Sequence, residues 1–181
     1  MKKEQYRNLN MLLVEKYHED KEVGEELLKK YKNLKTVDTY KDAKRVIDAG
    51  ELDVLLTSEH FTYTDKYPEG EYFRHFTSRE VITYPIHAGP ALALYALGEN
   101  VPYIGLCLSE RNNLGTAPFY PLLGVKKIGS SYFGAIHKLK EETYPDIKPW
   151  TKLLSQMGIG EYNEGIVDEL VEKGLVYRPL R

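Results

Sequence analysis

Two short apolar runs constrain this chain more than any other feature. Met11-Leu12-Leu13-Val14 stops abruptly at Glu15-Lys16, and Leu52-Asp53-Val54-Leu55-Leu56-Thr57 stops at Ser58. Apolar runs this short, closed by polar residues, have the pattern of strands covered on both faces, as in a parallel sheet. Such strands deliver their closing polar side chains to the carboxyl edge of the sheet. Between the two runs, Lys21–Tyr31 carries Val23, Leu27 and Leu28 at helical spacing. Lys35–Tyr40 reads as a second strand. Lys41–Gly50 reads as a helix capped by Thr39, with Ala43, Val46 and Ile47 on its apolar face and Gly50 closing it. The order before Ser58 is therefore β-α-β-α-β, which implies right-handed crossovers and a parallel sheet.

From His60 to Ile86 the periodicity weakens into an aromatic, charged stretch with a turn signal at Pro68-Glu69-Gly70. A connection of that length is a functional loop or conceals an element. Ala88–Leu97 reads as a small-residue helix ended by Gly98, and Val101–Leu108 as a fourth buried strand. Arg111–Leu123 reads as a loop. Val125–Ile128 is either a fifth strand or the start of a hairpin through Ser131–Ile136. Trp150–Met157 and Gly165–Lys173 read as helices. The expected architecture is a doubly wound, mainly parallel α/β sheet of five strands in residues 1–157, with a helical extension over 158–181 packed on the same domain.

Composition removes several classes. A formal net charge of −2 gives no bulk basic field to attract nucleic acid or an acidic membrane. No apolar run approaches the roughly 18 residues of a membrane span, and no leader pattern is evident. Cys107 is the only cysteine, which rules out an internal disulfide and a multi-cysteine metal site. A cytoplasmic location is the default expectation.

Residues with chemistry gather after the strands. Ser109-Glu110-Arg111-Asn112-Asn113 directly follows the fourth strand, where open α/β sheets hold ligands. There Arg111 suits a phosphate or carboxylate, and Asn112 and Asn113 suit polar ligand edges; the same residues also suit a capped turn. His87-Ala88-Gly89-Pro90 opens a helix. Its small residues permit either a ligand near the positive helix end or tight helix–sheet packing. Glu19 and Asp20 read first as solubilising loop acids, and second as acids returned to the edge beside Glu15. His60 and His18 with Glu15 form the one conceivable zinc set, against ordinary polar histidines, since no histidines pair at i, i+4. Cys107, in mid-strand, reads as a small core residue. No glycine-rich dinucleotide or Walker loop is present. Of 15 tyrosines, several crowd the weakly periodic stretch. Tyr63, Tyr67, Tyr72, Phe73, Phe76 and Tyr84 suit a protein-partner surface, a homodimer contact or an arm covering the sheet. Lys66, Arg74 and Arg79 are balanced there by acids, so the stretch has no nucleic-acid footprint.

The first sixty residues resemble the receiver domains of two-component response regulators. Met11-Leu12-Leu13-Val14-Glu15 matches the first strand and its acid. Asp53-Val54-Leu55-Leu56-Thr57-Ser58 matches the strand leading to the phosphoacceptor, with serine in the place of aspartate. Tyr84-Pro85-Ile86 through Gly98, then Val101-Pro102-Tyr103-Ile104-Gly105-Leu106, resembles a group of receiver-like proteins of unassigned function. Lys148-Pro149-Trp150 with Leu153-Leu154 is similar to that group's closing tryptophan helix. The likeness spans residues 10–157 and implies a flavodoxin-like fold. It also implies lost chemistry: Ser58 cannot form an acyl phosphate, Lys16 cannot hold Mg²⁺, and Glu15 alone is a poor magnesium site. The expectation is a non-phosphorylatable signalling protein without a cofactor. It would bind a protein partner or a small anionic ligand through Glu15, Lys16, Ser58, His60, His87, Ser109, Arg111, Asn112 and Asn113, with Lys16 and Arg111 as its cations. The alternative is an enzyme or nucleotide binder, because Gly89–Gly98 with Val101–Leu106 is also similar to the nucleoside 2-deoxyribosyltransferases. The nucleophilic glutamate of that family has no match among Leu92, Ala93 and Leu94.

Overall fold

The sheet is built outward from the first apolar run. A computed structural model describes residues 6–59, 72–76, 81–85, 88–108, 123–137, 139–141, 144–162 and 165–176. In chain order these form β1 (Asn10–Val14), α1 (His18–Leu28), β2 (Asn33–Val37), α2 (Tyr40–Asp48) and β3 (Val54–Ser58). Next come β4 (Tyr72–Phe76), β5 (Val81–Pro85), α3 (Ala88–Gly98), β6 (Tyr103–Leu108), β7 (Gly124–Ile128) and β8 (Ser131–His137). The chain continues through β9 (Leu139–Glu141), β10 (Tyr144–Ile147), α4 (Trp150–Gln156) and α5 (Ile166–Glu172).

Six strands form one sheet in the order β2-β1-β3-β6-β8-β7. Its pairs are parallel except for β7, which meets β8 as an antiparallel hairpin. The hairpin reading of Val125–Ile128 is the one realised, and the sheet has one strand more than expected. Part of the stretch read as a long aromatic loop is an antiparallel pair: β4 joins β5 with Tyr72 opposite Pro85 and Phe76 opposite Val81. Tyr72-Phe73 and Val81-Ile82-Thr83-Tyr84 are strong strand formers, so the signal lay in propensity rather than in alternation. A second small ribbon joins β9 to β10.

Strand alternation divides the core into two layers. Leu12, Val14, Leu55, Ile104, Leu106 and Phe133 pack with the apolar residues of α2 and α3. Met11, Leu13, Val54, Leu56 and Cys107 face the other way, against Leu27 and Leu28 of α1, Trp150, Leu153 and Leu154 of α4, and Leu170 of α5. Cys107 is thus the small core residue the sequence suggests. Leu170 and Val176 tie the last described segment into the same layer.

Local chemistry shifts two boundaries. β2 begins at Asn33, not Lys35, because the Asn33 amide donates to the Asn8 carbonyl and to Asn10 Oδ1, at 3.1 Å each, fixing Asn10 opposite Asn33. It ends before Thr39, whose hydroxyl accepts the Asp42 N–H at 3.1 Å and caps α2. α1 starts at His18, not Lys21, which puts Glu19 and Asp20 in its first turn, where acids complement the helix dipole. No helix among the described residues is long and apolar enough to cross a membrane.

Candidate functional site

The strand order reverses direction around β1 and β3: β1 leads through α1 to β2 on one side, and β3 continues to β6 on the other. Ligand crevices of open α/β sheets form at such a point, outside the carboxyl ends of the strands. Glu15 follows β1 there. Its backbone N–H donates to the Val37 carbonyl at 3.1 Å, so it extends the strand ladder. Alternation then sends its side chain to the face of Met11 and Leu13, and sends Ser58 to the same face through Val54 and Leu56.

Glu15 is almost fully buried, at 1% exposure. A carboxylate in that position needs a cation, and the one it receives is Lys148, from the short link between β10 and α4. The Lys148 ammonium, itself only 6% exposed, donates to Glu15 Oε2 and, at 2.7 Å, to Asp20 Oδ2 in the first turn of α1. Glu15 Oε1 has no well-aligned donor among the described residues, although the Ser58 hydroxyl lies near the carboxylate. That hydroxyl is 3.5 Å from the Val14 carbonyl.

One ammonium therefore serves two carboxylates, and the two ends of the cluster respond differently. Burial pushes the Glu15 carboxyl above its ordinary value. Lys148 pulls it back incompletely, while the Asp20 charge pushes it up again. For Lys148, burial alone would lower the ammonium, but the charge of Glu15 and the hydrogen bonds to Asp20 and Glu15 outweigh it and hold the group above its ordinary value. The lysine gains from two partners, whereas the deeper acid shares one. Lys148 is thus firmly a cation at neutral pH, and its ion pairs persist until pH rises beyond the ordinary lysine range.

The start of α3 closes the neighbouring side. A Cβ added to Gly89 would lie 1.8 Å from the Ser58 carbonyl oxygen, so the helix touches the end of β3 directly. The Gly89 N–H donates to the Glu59 carbonyl at 3.1 Å, and the Glu59 N–H donates to the Cys107 carbonyl at 2.9 Å. These contacts account for Gly89 by packing, and they use its N–H within the fold.

Of the residues singled out from sequence, Glu15 and Ser58 come together at this edge. Lys16 is exposed, its ammonium 5.4 Å from the centre of the Tyr17 ring. His18 is exposed too and pairs with Glu22 at 3.2 Å, so it does not join Glu15. His60, His87, Ser109, Arg111, Asn112 and Asn113 lie outside the described residues. Asp20 belongs to the cluster and is more than a solubilising acid. Lys148 was missed. Its signal in the sequence is a single charge set between Ile147 and Pro149-Trp150, a place where a lysine is buried only if something pairs with it. Among the described residues no group of three or more acid, histidine or cysteine side chains has metal-site geometry. A groove of about 720 Å³ runs along the outer side of β2 and α2 and carries mixed charges such as Lys35, Asp42 and Arg45. It lacks the convergence seen at Lys148.

The described residues define a mostly parallel α/β protein with a buried lysine–dicarboxylate cluster at the carboxyl edge of its sheet. No family model, no curated protein and no solved structure matches the chain.

Proposed function

We propose that the chain is a receiver-like regulatory protein of doubly wound, flavodoxin-like topology that takes no phosphoryl group and acts by binding a protein partner. The observation that carries this reading is Lys148. Its ammonium bridges Glu15 and Asp20 in the space a divalent cation would need to use them both. Phosphoryl transfer on such an edge requires a carboxylate nucleophile and a metal beside it. This edge offers the Ser58 hydroxyl and a lysine already committed to two acids. The order β2-β1-β3-β6-β8 of the parallel strands supports the topology, since it is the flavodoxin-like order with the switch point between β1 and β3.

A small anionic ligand has less support than a protein partner. Among the described residues Lys148 is bound by two carboxylates and Lys16 faces solvent, so an anion at this edge would depend on Arg111. The aromatic stretch from Tyr63 to Tyr84 remains the proposed contact for the partner, a second copy of the chain included.

The test is incubation of the full chain with Mg²⁺ and acetyl phosphate, followed by intact-mass analysis and thermal unfolding. The expected result is an unmodified mass and no magnesium-dependent rise in Tm. A labile phosphoryl adduct mapped to Glu15 or Ser58 would overturn the reading.

A further inference from the structure

Lys148 has an outer side as well as an inner one. A cavity of about 220 Å³ opens between α1 and the Leu175–Val176 segment, with Lys148 and Asp20 in its wall. The other described residues of the wall are apolar except for Glu19. Val23 and Leu27 come from α1, Ile147 and Trp150 flank Lys148, and Leu175 and Val176 close the far side. Such a volume lies below the roughly 300–1,000 Å³ usual for drug-sized ligands, so the occupant is small.

The charges decide what kind of molecule fits. Lys148 is the only cation among the described residues of the wall, and it is held by Asp20 and, behind it, by Glu15. Glu19 has no ion pair or hydrogen bond among the described residues. Two carboxylates thus hold the one ammonium and a third, Glu19, stands in the same wall, and the dipole of α1 offsets only part of the excess. An anion would meet a cation already neutralised. A second cation would meet Glu19 and the outer side of Asp20, with its apolar part against Val23, Leu27 and Trp150.

We propose that this cavity binds a small amphipathic cation: a primary amine carried on a short apolar chain or ring. The site is distinct from the inner Glu15–Ser58 edge. Its failure would leave the proposal on phosphoryl transfer standing, because that proposal turns on the inner face of Lys148.

Trp150 is the only tryptophan of the chain and sits in the cavity wall, so its emission reads occupancy directly. The experiment titrates the full chain at low salt with hexylamine, and in parallel with hexanol and hexanoate, following tryptophan emission and Tm. The expected result is a saturable emission change and a rise in Tm with the amine alone. Saturation should occur within about 10 mM, a range that captures a Kd near 1 mM. Glu19→Gln leaves the Lys148 pairs intact and should weaken amine binding several-fold. Val23→Trp fills the cavity and should abolish binding while the far-ultraviolet spectrum is kept; because it adds a second tryptophan, its binding is read by Tm. Equal or tighter binding of hexanoate, no saturable signal with the amine, or unchanged amine affinity in Glu19→Gln would overturn the proposal.

Discussion

The two faces of the central sheet are filled by the same strands and yet end differently. On the side of α2 and α3, Leu12, Val14, Leu55, Leu106 and Leu108 carry an apolar layer to the carboxyl edge, and Gly89 lets α3 seat on the Ser58 carbonyl. On the side of α1 and α4, the layer of Met11, Leu13, Val54 and Leu56 gives way at its top to Glu15, Ser58 and Lys148. The difference follows from one-residue alternation: Val14 and Glu15 are neighbours in the chain and part company across the sheet. One face holds the strands together without regard to charge. The other ends in the buried Glu15–Lys148 pair, so its stability depends on pH there.

The sharpest break of that comparison is Lys148→Ala set beside Leu55→Ala. Removing Lys148 leaves a buried, unpaired Glu15 and should cost about 3–5 kcal/mol at pH 7. Without the cation, the Glu15 carboxyl in the folded chain rises further above its unfolded value. The folded state then holds its proton to higher pH, and the cost shrinks as pH falls. Leu55→Ala opens a cavity on the apolar face at a cost of about 2–5 kcal/mol that should not vary over the same range. Urea unfolding of both variants at several pH values measures the contrast, and two parallel pH profiles would break it. A smaller effect is expected for Glu15→Gln. It removes the desolvated charge and leaves Lys148 with Asp20, so the loss should stay below that of Lys148→Ala and should shrink as pH rises, because the raised Glu15 carboxyl makes its ionisation in the folded chain costly. Thr57→Val should be the least costly, within about 1 kcal/mol. Thr57 is turned by alternation toward the apolar face, and among the described residues its hydroxyl bonds only the adjacent Ser58 carbonyl, at 3.2 Å.

The fold was legible where sequence periodicity and burial coincide. The runs at Met11–Val14 and Val54–Ser58 are wholly apolar up to their polar ends, and both are central strands. The Thr39 cap was readable because its partner, Asp42, is three residues away. β4 and β5 were not, since neither run alternates and charged residues such as Glu71, Arg79 and Glu80 flank the strand-forming residues. The site was half legible. Glu15 and Ser58 are fixed by strand ends, which local patterns reveal. Lys148 reaches them across the whole fold, and no local pattern reports such a partner. Asp20 sat too close to other surface acids to be told apart from them until α1 was seen to start at His18.

Glu15 and Lys148 stand 133 positions apart. At a synthesis rate of about 5–20 residues per second, the acid emerges roughly 7–27 seconds before its counter-ion. Once Ser58 has emerged, β1, β2 and β3 are all available to pair, while the end of β1 must keep its water. The carboxyl edge of the sheet thus stays open until Lys148 has emerged, and a chain broken off before that point lacks the counter-ion of Glu15.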